Sequence, residues 1–256
     1  MPSRPVVLVT GAARRIGRAI ALDLAAHGHD VALHCHRPSD DAAATLAELR
    51  TLGARAEVFA ADLADEAACR ALVPAVAEAF GRLDALVNNA SRFAYDDAAS
   101  FGHAEMEAHW RVNAAAPILL TRALHEHLCG READGCVVNL LDQKLDNPNP
   151  DYLSYTLSKA ALQSATVMLA QALAPRLRVC GVSPGVTLLS GEMSEADFAA
   201  AHRLTPLRRS STPQDIAHAV RYLIEANAVT GSTLLVDGGQ HLVAQPRDVA
   251  FLVKTS

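Results

Sequence analysis

Features that this sequence lacks exclude several classes of protein. No apolar run reaches the roughly 18 residues that a membrane-spanning helix needs, and no run of lysine and arginine suggests a nucleic-acid surface. The net charge of -5 also argues against nucleic acid. Because the amino terminus enters a predicted strand at once, we expect no signal peptide. We therefore expect no nucleic-acid partner and no membrane partner.

Cysteine is scarce and irregularly placed. The five cysteines, Cys35, Cys69, Cys129, Cys136 and Cys180, are odd in number and lack Cys-x-x-Cys spacing. This distribution predicts buried, reduced thiols in a cytoplasmic protein.

The chain also lacks linkers, low-complexity tracts and internal repeats. Its 256 residues, of which 50% are hydrophobic, suit one large core. We therefore predict a single domain over residues 1–256. Within it, residues 186–212 are predicted to form a loop and short helix that act as a substrate lid. Residues 240–256 form a tail that is expected to pack at a subunit interface or to fray.

Short apolar runs alternate with segments that are long enough for helices. The runs are VVLVT, DVALHC, AEVFA, DALVNNA, CVVNLL, LRVCGV and STLLVDG. Parallel strands need long crossover connections, which are usually helices. The alternation therefore predicts an α/β fold, a doubly wound parallel sheet with helices on both faces.

The first run continues into a glycine-containing turn and an amphipathic helix, in VVLVTGAARRIGRAIALDLAAHG. Such a turn brings backbone N–H groups and a helix N-terminus to a pyrophosphate. Gly11 and Gly17 are the positions where close approach is expected. The middle glycine of the usual TGxxxGxG pattern is Arg15 here, so an ordinary strand-to-helix turn remains the alternative.

The second run ends in His36, Arg37 and Ser39, where an NAD-binding fold usually carries an acidic residue. Basic and hydroxyl groups suit a 2′-phosphate, which favours NADPH as cofactor. The alternative is that Arg37 is a solvated loop residue. His34 and His36 alternate on the strand, but no third metal ligand is evident, so we predict no metal site.

Tyr155 and Lys159 lie four residues apart in YTLSK, which places both on one face of a helix. The helix continues as KAALQSATVMLAQALA and is apolar nearly all round. That pattern is expected if its outer face packs against another subunit, and burial within the monomer is the alternative.

Together these motifs resemble the short-chain dehydrogenase/reductase family, over essentially the whole chain. The matching stretches are TGAARRIG, ADL, NNAS, RVNAAAP, YTLSK, SPG and VDGG. The resemblance implies a Rossmann fold and hydride transfer from a nicotinamide. It also implies that Tyr155 donates a proton, that Lys159 binds the nicotinamide ribose and lowers the tyrosine pKa, and that Asn113 holds a water in the proton relay.

The same resemblance implies a set of cofactor contacts. Asp62 and Leu63 are expected beside the adenine, and the NNAS stretch beside the nicotinamide ribose. The full set is Gly11, Arg15, Ile16, Gly17, His36, Arg37, Ser39, Asp62, Leu63, Asn89, Ala90, Ser91, Tyr155, Lys159, Pro184 and Gly185.

The chain departs from the family pattern at Asp142, thirteen residues before Tyr155, where most members carry a serine. No serine or threonine lies between Thr121 and Ser154, so the serine has not shifted. An ionised carboxylate only accepts hydrogen bonds, and beside a developing alkoxide it would repel charge. A substrate with N–H donors and a C=N bond fits better, since a nearby carboxylate raises the tyrosine pKa and keeps its proton available. A merely structural aspartate remains the alternative.

Within the family, the details resemble the pteridine reductase branch, which shares Arg15, the HxHR end of the second strand and the Asp–Tyr–Lys set. The branch also carries a phenylalanine after NNAS, here Phe93, that stacks on a flat pterin ring. An ordinary core role for Phe93 is the alternative. The resemblance implies substrate contacts from Arg15, Ser91, Phe93, Asp142 and Tyr155. Leu188, Leu189 and Met193 are candidates for an apolar wall.

We therefore predict an NADPH-dependent reductase of a dihydropterin or pterin, with dihydromonapterin, dihydrobiopterin and dihydrofolate as possible substrates. Two other functions remain open. One is a carbonyl or 3-ketoacyl reductase in which Asp142 is protonated and donates as the serine would. The other is a non-catalytic NADPH-binding sensor. Family resemblance further implies a homotetramer.

Overall fold

Seven strands form one parallel sheet within residues 4–189 and 193–253, the parts of the chain that this computed structural model describes. The strands are β1 Val6–Val9, β2 Asp30–Cys35, β3 Ala56–Ala60, β4 Ala85–Asn88, β5 Gly135–Leu140, β6 Leu177–Pro184 and β7 Thr233–Val236. Their order is β3-β2-β1-β4-β5-β6-β7, and every neighbouring pair is parallel. Each predicted apolar run overlaps one strand, so the predicted α/β fold is confirmed.

Helices connect the strands and cover both faces of the sheet. They are α1 Arg15–Ala26, α2 Asp40–Thr51, α3 Glu66–Phe80, α4 His103–Trp110, α5 Ala116–Arg131, α6 Leu153–Ala172, α7 Glu195–Arg203, α8 Pro213–Glu225 and α9 Val249–Leu252. A π-helical turn spans Arg111–Ala115, and 3₁₀ turns span Gln143–Leu145 and Gln240–Leu242. None of the helices within the described ranges is long and apolar enough to cross a membrane.

The strands are mostly apolar because both faces of the sheet are covered by helices. Successive side chains of β1 point to opposite faces. Val7 and Val9 belong to a core with residues of α1 and α8, whereas Val6 and Leu8 belong to a second core with residues of α3 and α5. Strand β1 therefore anchors both layers of helices.

The order of strands reverses at β1, which lies between β2 and β4. In open α/β sheets such a switch point creates a crevice beyond the carboxyl ends of the strands. Asn89 closes the base of this crevice, because its Nδ2 donates to the carbonyl oxygens of Thr10 at 2.8 Å and Gly11 at 3.2 Å. Gly17 packs against the same place: a Cβ there would lie 2.3 Å from the Gly11 oxygen.

The predicted burial of cysteine is wrong at one position. Cys35, Cys69, Cys136 and Cys180 are buried free thiols, but Cys129 is exposed. It lies on α5 near His125, with 3.5 Å between Sγ and Nε2. Its position near the carboxyl end of α5 leaves it outside the core, which a cysteine count cannot reveal.

Candidate active site

Two adjacent clefts open at the carboxyl edge of the sheet. The large cleft, of about 1210 Å³, passes the ends of β1, β2 and β4. The small cleft, of about 240 Å³, lies beyond β5 and β6. Arg15, Ile16, Asn89 and Ser91 line both clefts, so one extended ligand, or two ligands in contact, could span the boundary.

Nearly all of the candidate site residues predicted from the sequence line one of the two clefts. The large cleft holds Gly11, Arg15, Ile16, Gly17, His36, Arg37, Ser39, Asp62, Leu63, Asn89, Ala90 and Ser91. The small cleft adds Phe93, Asp142, Tyr155, Lys159, Pro184 and Gly185. Asn113 lies behind this surface and lines neither cleft.

His34 supports the turn at the start of α1 and is not a metal ligand. The Gly11 N–H donates to His34 Nδ1 at 3.1 Å, and His34 Nε2 contacts the Ala61 carbonyl oxygen at 3.1 Å. Burial lowers the pKa of His34 to about 4, so the ring is neutral and both nitrogens are engaged. Within the described ranges, no three His, Cys, Asp or Glu side chains are grouped to hold a metal ion.

Basic side chains border the large cleft beyond β2. Arg37 is exposed there, and His36 Nδ1 lies 3.6 Å from Asp62 Oδ1. Ser39 caps α2, because its Oγ accepts the Ala42 N–H at 3.2 Å. Arg14, the N-cap residue of α1, also lines this cleft, although no motif marks it in the sequence. Arg14 and Arg37 therefore add guanidinium groups at this end of the cleft, and the first turn of α1 carries no acidic residue.

The end of β5 brings a carboxylate to the small cleft. Asp142 caps the following 3₁₀ turn, where its Oδ1 accepts the Lys144 backbone N–H at 2.9 Å. Its Oδ2 accepts a hydrogen bond from the Tyr155 hydroxyl at 2.8 Å. Each carboxylate oxygen can accept a second hydrogen bond, so Asp142 retains acceptor capacity toward a ligand.

Burial and the Asp142 carboxylate determine whether the shared proton lies on Tyr155 or on Asp142. Burial raises the pKa of Asp142 above its ordinary value, against the opposing hydrogen bonds from Lys144 and Tyr155. Burial and then the Asp142 charge raise the pKa of Tyr155 well above its ordinary value. This direction is opposite to the lowering that the family resemblance implies. Burial disfavours the charged phenolate, and the hydrogen bond to a carboxylate further favours the protonated phenol.

Lys159 lies one helical turn after Tyr155 and is buried. Its Nζ donates to the Leu140 carbonyl oxygen at 2.7 Å and lies 5.8 Å from the Tyr155 ring centroid. Burial lowers the pKa of Lys159 to about 8, and the nearby Asp142 charge opposes this shift. Lys159 therefore titrates much closer to neutrality than an exposed lysine does.

The side chain of Asn113, in the π-helical turn, is fully engaged. Its Oδ1 accepts from the Arg92 N–H at 2.7 Å and from Ser91 Oγ at 3.2 Å. Its Nδ2 donates to the Arg92 carbonyl oxygen at 2.9 Å and to Ser158 Oγ at 3.0 Å. These four bonds saturate the amide. The predicted relay water could therefore contact only the main chain of Asn113.

Phe93 forms an aromatic wall beside the Tyr155 ring. Its side chain is 49% exposed, which excludes the ordinary core role. The ring stacks on Tyr152 at a centroid distance of 4.4 Å and meets Tyr155 edge-on at 4.8 Å. Tyr152 was not among the predicted site residues, since no motif marks it in the sequence. A planar heterocycle could pack on the open part of this wall.

The described part of the C-terminal tail, residues 240–253, packs beside the small cleft of its own subunit. Arg247 Nε and an Nη donate to the buried Asp151 carboxylate at 2.7–3.0 Å. The Lys144 ammonium, also buried, donates to the Asp151 carbonyl oxygen at 2.5 Å and lies 3.3 Å from Asp248 Oδ2. Ion pairs to the buried Asp151 and Lys144 side chains hold this part in place, and packing of the tail at a subunit interface stays a prediction. Residues 254–256 lie outside the described residues.

The tail adds a second carboxylate to the small cleft. Its lining residues there are Asp248, Val249 and Ala250. The Asp248 charge contributes to the raised pKa of both Asp142 and Tyr155. The pKa values of Asp142 and Tyr155 therefore depend in part on a residue that is distant from both in sequence.

The predicted lid, residues 186–212, contains α7 and borders the small cleft. Leu188 and Met193 line this cleft. Leu189 does not; its carbonyl oxygen accepts a hydrogen bond from the Arg15 guanidinium at 2.9 Å. Arg15 thus links the start of α1 to the segment after β6. Residues 190–192 of the predicted lid lie outside the described residues.

Comparison with known proteins gives consistent matches along nearly the whole chain. Residues 11–241 match a family described as enoyl-(acyl carrier protein) reductase. The solved structure of FolM alternative dihydrofolate reductase 1 from Brucella canis, complexed with NADP, is 41% identical. The match covers 97% of this chain and 98% of that one, with a TM-score of 0.90.

Two further relatives differ in the reactions that their names describe. Pteridine reductase 1 of Leishmania tarentolae is 35% identical, over 94% of this chain and 98% of the relative. The granaticin polyketide synthase putative ketoacyl reductase 2 of Streptomyces violaceoruber is 37% identical, with the same coverage of 94% and 98%.

The electrostatic link between Asp142 and Lys159 can be measured by NMR on protein with ¹³C-labelled lysine. The chain has three lysines, Lys144, Lys159 and Lys254, so the spectrum is simple to assign with Lys159→Met. Lys159 should titrate at about 8, and Asp142→Asn should lower this pKa, because the carboxylate that favours the ammonium form is removed.

Asp146→Asn is the matched control, since Asp146 is an exposed residue of the same loop. It should leave the Lys159 titration unchanged. A Lys159 pKa that stays constant or rises in Asp142→Asn would contradict the described coupling.

Proposed function

The chain belongs to the short-chain dehydrogenase/reductase family, and on this premise we propose that it is an NADPH-dependent pteridine reductase. Its reaction is reduction of a C=N bond in a dihydropterin or pterin to the tetrahydro form. The observation that carries this proposal is the hydrogen bond from the Tyr155 hydroxyl to Asp142 Oδ2.

This hydrogen bond favours a C=N bond over a C=O bond. Reduction of a ketone develops negative charge on oxygen, which needs hydrogen-bond donors rather than a carboxylate. Reduction of a C=N bond leaves a nitrogen that needs a proton. Tyr155 retains a proton because burial and Asp142 raise its pKa, so it can act as the general acid.

The donor groups of the large cleft fit NADPH. The N-terminus of α1 suits a pyrophosphate, and the absence of a side chain at Gly17 keeps the turn closely packed there. Arg37, His36 and Ser39 line this cleft, which supports their binding of a 2′-phosphate, and Arg14 adds a further guanidinium group. Bound NADPH supplies the hydride.

The residues of the chain then take separate roles. Tyr155 delivers a proton from its hydroxyl to the substrate nitrogen. Asp142 accepts hydrogen bonds from the substrate and keeps the tyrosine protonated. Lys159 binds the nicotinamide ribose, and the Asn113 main chain supports the proton relay. These assignments agree with the places of Tyr155, Asp142 and Lys159 in the small cleft.

Phe93, Arg15 and Ser91 bind the pterin in this proposal. Phe93 offers a half-exposed ring beside the Tyr155 ring, which suits stacking on a flat heterocycle. Arg15 and Ser91 stand where the two clefts join, between cofactor and substrate. Dihydromonapterin, dihydrobiopterin and dihydrofolate share the bicyclic ring. They differ in the substituent on that ring, which must extend out of the cleft.

A ketoacyl reductase is the second candidate, and one observation favours it. Burial raises the pKa of Asp142, so its carboxyl group is easier to protonate than an exposed one. A protonated Asp142 would donate a hydrogen bond to a substrate carbonyl, as the serine of other family members does. The similarity to a putative ketoacyl reductase agrees with this reading.

We propose that the protein works as a homotetramer. The outer face of α6 supports this assembly, because it exposes the apolar side chains Leu157, Val167 and Met168. Exposed apolar patches commonly mark interfaces.

A substrate panel tests the reaction. We expect NADPH consumption with dihydropterins and little with simple ketones. In Asp142→Ser, kcat/KM for the pterin should fall about a hundredfold, the effect of losing general-acid support. NADPH binding should survive, because Asp142 does not line the large cleft.

Asp146→Ser, an exposed change in the same loop, should keep full activity. Turnover of ketones without pterins by the wild-type protein would favour the ketoacyl reductase. Full pterin activity in Asp142→Ser would remove the proposed role of the carboxylate.

Cofactor choice is tested by Arg37→Ala. We expect the dissociation constant of NADPH to rise about tenfold or more, because a charge-assisted hydrogen bond to phosphate is lost. NADH binding should change little. Nicotinamide fluorescence titration measures both constants. Arg122→Ala, on the exposed side of α5 and paired with Glu126, is the control. Equal weakening of NADPH and NADH would remove Arg37 from the phosphate site.

A further inference from the structure

Gln143 presents a buried hydrogen-bond acceptor that the described protein leaves unpaired. Its side chain is only 7% exposed, and its Oε1 has no hydrogen-bond partner among the described residues. Buried polar atoms are nearly always paired in folded proteins, and an unpaired one destabilises the fold. If the amide were turned over, the same position would hold an equally unpaired nitrogen.

The unpaired atom belongs to the wall of the small cleft. Gln143 lines this cleft together with Asp142, Tyr155 and Asp248. The backbone on either side of it is held: Lys144 N–H donates to Asp142 Oδ1 at 2.9 Å, and Asp146 N–H donates to the Gln143 carbonyl oxygen at 3.0 Å. The side chain therefore extends from a fixed turn next to the proposed reaction centre.

We propose that Gln143 is a substrate-binding residue, whose carboxamide oxygen accepts a hydrogen bond from an N–H or O–H group of the pterin. This inference rests on the proposed function. Asp142 keeps acceptor capacity beside it, so the two residues form an acceptor-rich wall. Such a wall selects a substrate with several hydrogen-bond donors, and it rejects a simple ketone, which has none.

The unpaired state has a functional rationale. A site built to bind a donor carries an acceptor that is unsatisfied until the ligand arrives, and it discriminates strongly against ligands that lack the donor. The unpaired acceptor lowers the stability of the protein when no ligand is bound. Binding and stability should then respond in opposite directions when the acceptor is removed.

Gln143→Met tests the proposal, because methionine has a similar size and lacks the amide. KM for the dihydropterin should rise about tenfold or more, the effect of one lost hydrogen bond in a desolvated site. The dissociation constant of NADPH should not change. The melting temperature should stay equal or rise, whereas a purely structural hydrogen-bonding role predicts that it falls.

Gln214→Met is the matched control, since Gln214 is exposed in the first turn of α8 and lines neither cleft. It should leave KM unchanged. A second comparison uses 6-methyl-dihydropterin, which lacks donors on its substituent, beside dihydromonapterin. A KM increase for both substrates supports a contact to the ring, and an increase for dihydromonapterin alone supports a contact to its substituent.

Two failures can be told apart. If the wild-type protein reduces dihydropterins and Gln143→Met has an unchanged KM for both, the inference is overturned and the proposed function stands. If the wild-type protein reduces no pterin, the proposed function fails and this inference fails with it.

Discussion

The hydrogen bond from the Tyr155 hydroxyl to Asp142 is the interaction on which the site depends. It joins the end of β5 to α6 at the carboxyl edge of the sheet. Lys159 makes a second link between the same elements through the Leu140 carbonyl oxygen. Together the two bonds hold a carboxylate, a phenol and an ammonium group in one buried place. Since a carboxylate only accepts hydrogen bonds, the shared proton belongs to the phenol.

Buried charges at this place require partners, and the C-terminal segment supplies some of them. A buried charge without a partner is costly. The Lys144 ammonium group is buried near Asp142. It donates hydrogen bonds to the Asp248 carboxylate and to the Asp151 carbonyl oxygen. Arg247 in turn neutralises Asp151. The tail therefore lines the small cleft, and the Asp248 charge contributes to the raised pKa of Tyr155.

Much of the fold and of the site could be predicted from the sequence because both depend on local patterns. Apolar runs identified the strands, since both faces of the sheet are buried, and the motifs lie where those strands end. Parallel topology then places Tyr155 and Arg37 at one edge without further information. Other features depend on contacts between distant residues. The pairing of Lys144 with Asp248 joins residues that are 104 positions apart.

The family resemblance implied a lowered tyrosine pKa, whereas Asp142 in the sequence favoured a raised one; burial and then the Asp142 charge do raise it. Two other outcomes show where local patterns fail. The Asn113 side chain is saturated by Arg92 and its neighbours, which no motif reveals. The unpaired oxygen of Gln143 becomes visible only when every possible partner has been located.

The most direct test of the account is the protonation state of Tyr155 itself, measured by NMR on protein with ¹³C-labelled tyrosine. The chain has four tyrosines, and Tyr155→Phe identifies the signal of interest. Because burial and Asp142 raise the pKa of Tyr155 well above its ordinary value, its signal should show the protonated phenol throughout the range from neutral pH to about 10. A signal that titrates near neutral pH would contradict the central claim that Asp142 keeps the proton on the tyrosine.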